Sequence, residues 1–251
     1  MRAVIQAVSS ANVRVNGGEP RWVLYGADGM YRVGTFEDGR FTQEGGKLPL
    51  DCGSCTYAGQ TWNHHDDSVG RMHISFMTDW RYSWSANRSY PDMPFGACMT
   101  VPCLLTLTST PDGYRVCRNP IPEIASLREG EGEPLACSPV RAAAIEPHLS
   151  GDMELVIDAQ HPVTVRAGGV SFTYDPHTGE ARFYGGRSMR LQQIGPLRLR
   201  VLTDRTSCEF FLQGEASASY GLSMRDMPIE ISSATAFSVQ GRRWRMRSIW
   251  E

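Results

Sequence analysis

The chain is 251 residues long, with a formal net charge of −2, 41% hydrophobic residues and 21% charged ones. That length admits one large domain or two ordinary ones with a substantial core. The near-balanced charge excludes a general attraction to nucleic acid or anionic membrane, and no run approaches the ~18 consecutive apolar residues of a membrane-spanning helix.

The opening M-R-A-V-I-Q-A-V-S-S-A-N-V-R-V alternates apolar and polar residues as a strand does, and it is too polar for a signal peptide. As given, the chain is expected in the cytoplasm. Residues 22–25, 30–36 and 40–41 read as a meander of short strands joined by glycine turns, the texture of a propeller blade. Residues 57–62 and 71–77 read as a hairpin. Its tip, His64-His65-Asp66-Asp67, reads as a solvated turn, because consecutive strand residues point to opposite faces and do not converge on a metal. Strands at 101–108 and 114–117 flank the turn Pro111-Asp112-Gly113. The whole stretch 57–107 crowds aromatic residues at strand ends, where a sugar ring could stack.

Seven cysteines are an odd number without regular spacing, which argues against a disulfide framework. Cys52-Gly53-Ser54-Cys55 has the C-x-x-C form, but Cys98 and Cys103 do not supply the second tight pair of a zinc ribbon, and no βαβ pattern surrounds the first. Reduced structural thiols are expected, with no metal site and no cofactor.

From residue 120 to about 147 the alternation lapses into a short helical turn near Ile124–Arg128 and the polar run Glu129-Gly-Glu-Gly-Glu-Pro134, which reads as a linker. Alternation returns at 153–158, 163–166, 170–174, 181–184, 197–202, 209–212, 229–231 and 244–249. Short strands at regular spacing predict an antiparallel sandwich. In Arg243-Trp244-Arg245-Met246-Arg247 the arginines fall on a wet face, and Trp244 and Met246 on a core face.

The order of motifs resembles one family. Tyr57-Ala58-Gly59-Gln60-Thr61-Trp62 is similar to Y-A-x-Q-T-F, and Phe76-Met77-Thr78-Asp79-Trp80-Arg81-Tyr82 to W-M-S-N-W-x-Y. Pro94-Phe95 with Met99-Thr100-Val101-Pro102 tracks P-W-R-G-x-M-T-L-P-R-E-L, and Asp204 to Phe211 resembles D-x-S-S-x-E-x-F. These are motifs of the C-terminal part of glycoside hydrolase family 32, the β-fructofuranosidases that include invertases, levanases and inulinases. The opening residues are also similar to the start of D-aminoacyl-tRNA deacylases, whose later active-site motifs do not follow.

The family 32 resemblance implies an all-β chain: the last one to two blades of a five-bladed β-propeller over 1–118, a linker over 119–148 and a C-terminal antiparallel β-sandwich over 149–251. It also implies retaining hydrolysis of terminal fructose units, which needs two carboxyl groups roughly 5 Å apart. The family carries these carboxylates in W-M-N-D-P-N-G, R-D-P and E-C motifs, and this sequence contains none of the three. No catalytic residue is therefore assigned, and a truncated chain without glycosidase activity of its own is expected. Tyr57, Trp80 and Tyr82 are the expected sugar contacts, with packing between strands as their alternative role. Expected partners are a fructose-containing oligo- or polysaccharide, and a missing propeller half on another chain or a second copy. The alternative function is a non-catalytic module that binds fructan or completes a propeller. Departures from the pattern cluster at Pro102-Cys103-Leu104-Leu105, which lacks both the Arg and the Glu of P-R-E-L and so suggests a removed ion pair, and at Asp51–Thr56, which replaces D-Y-G-x-D-F.

Overall fold

The computed structural model describes residues 7–14, 19–62, 71–77, 98–224 and 227–248, and nearly all of the regular secondary structure in them is β-strand. Strands β1 (Ala7–Arg14), β2 (Pro20–Gly26), β3 (Met30–Glu37) and β4 (Arg40–Pro49) form an antiparallel meander in sequence order. Its turns use residues tolerant of positive φ, such as Gly29 at 74° and Asp38-Gly39 at 49° and 74°. A second sheet has the order β5 (Tyr57–Thr61), β6 (Arg71–Met77), β8 (Cys103–Thr110), β9 (Gly113–Pro120), and the short β7 (Cys98–Met99) also pairs with β6.

Alternation decides which faces meet. Val23 and Tyr25 on β2, and Tyr31 and Val33 on β3, point to one face, where they pack with Leu50, Leu105, Leu107 and Val116 between the two small sheets. The Tyr31 hydroxyl accepts a hydrogen bond from the Val116 amide at 3.0 Å, which satisfies the one polar atom that this ring brings into the core.

The rest of the chain forms a single ten-stranded sheet. It comprises β10 (Glu133–Ile145), β11 (Gly151–Ala159), β12 (Val163–Ala167), β13 (Val170–Tyr174), β14 (Glu180–Phe183), β15 (Ser188–Arg190), β16 (Leu197–Asp204), β17 (Ser207–Leu212), β18 (Ala216–Gly221) and β19 (Ile229–Arg245). The sheet curls back on itself. Phe172 of β13 lies edge-on to Phe210 of β17 at 5.4 Å, although four strands separate β13 from β17 in the sheet. The enclosed space holds one large core that includes Met153, Ile157, Tyr174, Leu199 and Tyr220.

Two segments differ from the sequence expectation. The stretch 119–148, read as a linker, holds a 3-10 turn at Pro122–Leu127 and then the 13-residue strand β10. Residues 229–231 and 244–249, read as separate strands, are largely joined by the 17-residue β19. Small and polar residues such as Ala142–Ala144 and Ser232–Ala236 carry little hydrophobic signal. Pairing makes them strands: β10 lies along nearly the whole of β19, whose other side pairs with β12 through Ile229–Ser233 and with β11 through Phe237–Arg245.

Candidate functional site

Tyr57 stands opposite Phe76, and Phe76 stands opposite Met99, so β5, β6 and β7 carry these three side chains as one row across the sheet. Phe76 is 39% and Met99 48% exposed, and Tyr57 is half-buried. The Y-A-x-Q segment is not regular strand. Its pairing register shifts between Tyr57 and Gln60, and Ala58 holds φ at 47°, a left-handed value uncommon for a residue with a Cβ. The Ala58 amide donates to the Ala27 carbonyl at 2.9 Å, which ties this bulge to the first sheet.

Gly59 explains why the bulge fits. A Cβ there would overlap His73 Nε2, the Tyr25 ring and Ser75 Oγ. Those three form a buried polar group: Ser75 Oγ lies 3.2 Å from His73 Nε2 and 3.5 Å from the Tyr25 hydroxyl, and the Tyr25 and His73 rings meet edge-on at 5.3 Å. Burial, reinforced by the nearby Arg118 charge, pushes the His73 pKa down to about 3, so the imidazole is neutral at ordinary pH.

Further in, the two halves of the chain meet on a charged junction. Arg118 of β9 is 1% exposed. It donates through Nη2 to Glu209 of β17 at 2.9 Å and through Nη1 to Asp51, in the loop after β4, at 3.2 Å. Asp51 also accepts from the Gly53 amide, from the Ser219 amide, and from the Ser217 and Ser219 hydroxyls of β18. Glu209 accepts from the Val101 amide at 2.7 Å. Ser219 Oγ lies 2.9 Å from Asp51 and 3.0 Å from Glu209, yet a hydroxyl has one proton to donate. The Ser219 proton is therefore shared between the two carboxylates, while its oxygen accepts from Arg118 Nη1 at 3.2 Å. Burial raises the Glu209 pKa, and the Arg118 charge and the Val101 amide oppose that rise.

Two further ties flank the junction. Arg115 pairs with Glu215 at 3.2 Å, and Arg187 donates to the carbonyls of Asp51 and Gly53. Cys103, where the family pattern has the Arg of P-R-E-L, is fully buried with Leu202 and Phe211. The guanidinium over the Phe211 ring, at 5.6 Å, belongs to Arg118. An ion pair is thus present in this region, built from residues that the motif does not contain. Cys52 of the C-x-x-C is buried, and burial pushes its thiol up to about 12, which suppresses the reactive thiolate.

Of the three expected sugar contacts the structure places Tyr57. Trp80 and Tyr82, and the His64-His65-Asp66-Asp67 run, lie outside the described residues. Sequence reading missed Met99 as part of the Tyr57 row and Arg118 as the centre of the junction. Strand alternation could have matched Phe76 and Met99 to one face, whereas nothing local marks Arg118.

Comparison with known proteins fits this architecture. Residues 8–120 match the model of the glycosyl hydrolases family 32 N-terminal domain. A levanase of Bacillus sp. (strain L7) is 26% identical over 195 residues, covering 69% of this chain and 20% of the levanase. A levanase of Bacillus subtilis (strain 168) is 24% identical over 242 residues, covering 78% of this chain and 35% of that protein. Among solved structures, an exo-inulinase from Aspergillus awamori superposes with a TM-score of 0.72 at 17% identity, covering 96% of this chain and 56% of that one. A sucrose-6-phosphate hydrolase from Lactobacillus gasseri gives 0.66 at 17% identity, covering 96% and 54%. The fold is that of β-fructan- and sucrose-type hydrolases. Over residues 8–120 the chain resembles the glycosyl hydrolases of family 32, and as a whole it is similar to the C-terminal part of those enzymes. It spans 20% and 35% of the two levanases and little more than half of the solved relatives.

Proposed function

We propose that the chain is a β-fructofuranosidase-like polypeptide that contacts a fructose-containing saccharide and does not hydrolyse it alone. In this reading residues 1–118 are the last one to two blades of a five-bladed propeller, and residues 149–251 are a β-sandwich to which β10 of the 119–148 segment adds a strand. Tyr57, Trp80 and Tyr82 line the saccharide contact. The observation that carries the reading is the Tyr57 row beside the Ala58 bulge, because a cross-strand row of two aromatic rings and a methionine at a strained strand end suits the C–H faces of a sugar.

The lack of hydrolysis rests on chemistry. Retention needs a nucleophilic carboxylate and a second carboxyl group open to the sugar, and the family's three carboxylate motifs do not occur in this sequence. Asp51 and Glu209, the acids gathered at the junction, are 1% and 2% exposed and engaged by Arg118, so neither reaches a substrate. Incubating the purified chain with sucrose, inulin and levan should release no fructose, while a titration with inulin or levan should show binding that Tyr57→Ala weakens. Robust fructose release would overturn the reading.

A second reading has its own support. On the outer face of the first sheet, Trp22, Phe36 and Phe41 form an aromatic cluster with centroid spacings of 5.3 and 5.4 Å, and Phe36 is 42% exposed. The opposite face of that sheet is covered by the second sheet. A propeller half carried by another family 32 chain would cover the outer face in the same manner, making this chain a propeller-completing module. Phe36→Asp should abolish association with such a chain in size-exclusion chromatography.

A further inference from the structure

On the large sheet, the outward faces of β11, β16 and β19 form the floor of a cleft of about 800 Å³, bounded on the other side by Asn119-Pro120 and the Gln213-Gly214 turn. This volume lies within the range of small-molecule sites. Glu154 is the one carboxylate in the lining, against the arginines Arg198, Arg200 and Arg242. Beneath them Asp152, fully buried, holds Arg200 through two hydrogen bonds of 3.0 and 2.7 Å and Arg128 through one of 2.8 Å. Arg128 also pairs with Glu154. These four groups neutralise one another.

Two positive charges are left over. Arg242 donates to the carbonyls of Glu131 and Gly132 but faces no carboxylate within ion-pair distance among the described residues. Arg198 is exposed, and its side chain makes no hydrogen bond or ion pair among them. In the sheet Arg198 stands opposite Val156, and Arg242 opposite Glu154, so the two arginines rise on either side of β11.

The rim is held in place. Gln213, at a φ of 54°, donates to the carbonyls of Gln193 and Pro196 and accepts from the Arg198 amide. Glu215 accepts from the amides of Gln192 and Gln193. The cleft offers no aromatic platform for a neutral sugar. Trp244 is covered on one side by Arg128 at 3.8 Å and closed on another by Gly132, where no Cβ would fit, and Phe211 is faced by Arg118.

We propose that this cleft binds a small dianion, a phosphate group or a dicarboxylate, between Arg198 and Arg242. A planar guanidinium offers paired donors that match both groups, and a preformed rim lowers the ordering cost of binding. Isothermal titration of the full chain at low ionic strength with inorganic phosphate and, separately, malonate tests this and tells the two sources apart. Saturable binding near one equivalent is expected for at least one of them, with none for fructose. Arg198→Ala should weaken that binding at least ~10-fold and Arg198→Lys less. The Arg198 side chain is exposed and makes no hydrogen bond or ion pair among the described residues, so circular dichroism should show both variants folded. No binding of either anion beyond that of chloride at matched ionic strength, or unchanged binding in Arg198→Ala, would overturn the proposal.

Discussion

The two halves of the molecule are held together by different physics. The large sheet encloses one continuous apolar core, including Phe172, Tyr174, Phe210 and Tyr220, and closes around it. Among the described residues, the apolar cluster between the two small sheets of the first half has eight buried members, and apolar rings such as Phe36 and Phe76 face solvent. That half gains its remaining support from Arg118, Asp51 and Glu209, charges that a self-sufficient core would not need. The difference teaches that the small sheets depend on the large one. Their stability is set at the junction as much as in their own interior.

Breaking the junction is expected to have the largest effect. Arg118→Met leaves two buried carboxyl groups without their cation and should cost about 3–5 kcal/mol. Urea unfolding followed by both far-ultraviolet dichroism and tryptophan fluorescence should then show the first half melting before the large sheet. A single coincident transition would show that the halves remain coupled without the arginine. Glu209→Gln should be milder, because the amide retains acceptor and donor groups while removing a charge that burial disfavours.

Gly59→Ala tests the first half from inside. The added methyl must displace His73, Tyr25 or Ser75, and overpacking of this kind costs about 1–3 kcal/mol. The loss should fall on the early transition and leave the large sheet's melting unchanged.

Acid separates the halves more gently. His73 titrates near 6.5 when unfolded and at about 3 when folded, so between those values the unfolded chain binds the extra proton. Its contribution to stability is full above 6.5 and falls by up to about 1.4 kcal/mol per pH unit as the pH drops toward 3. Glu209 works in the opposite sense: its raised pKa means that its contribution is full below the unfolded carboxyl value and is lost as pH rises through the folded one. His73→Gln should flatten the acid limb of a stability–pH curve for the first half.

The smallest effect is expected at the surface. Tyr57→Ala, at a half-buried position, should change stability by only about 1 kcal/mol while weakening saccharide binding, as thermal melts and titrations on one preparation would show.

What could be read from the sequence follows the same division. Strands with one buried face, such as β2 and β11, announce themselves by alternation, and the Y-A-x-Q and D-x-S-S-x-E-x-F segments carry the family resemblance. β10 and the middle of β19 were hidden because alanine and serine positions become strand only through their mutual pairing. The junction was hidden by distance: Arg118 is 67 residues from Asp51 and 91 from Glu209, so nothing local marks it as their shared cation. Tyr57 could be singled out as an aromatic at a strand end, but the Ala58 bulge beside it depends on the tie to Ala27, two strands away in the chain.

β19 has one more consequence, for biosynthesis. It is bonded at once to β10, β11 and β12, and it joins the part of the sheet that ends in β15 to the part that ends in β18. During translation the large core therefore stays open until residue 245 has left the ribosome. Arg118 emerges more than a hundred residues earlier and waits for Glu209 and Ser219. The nascent first half must pass that interval with Arg118 matched by Asp51 alone and its junction face uncovered, a window in which a chaperone would have most to hold.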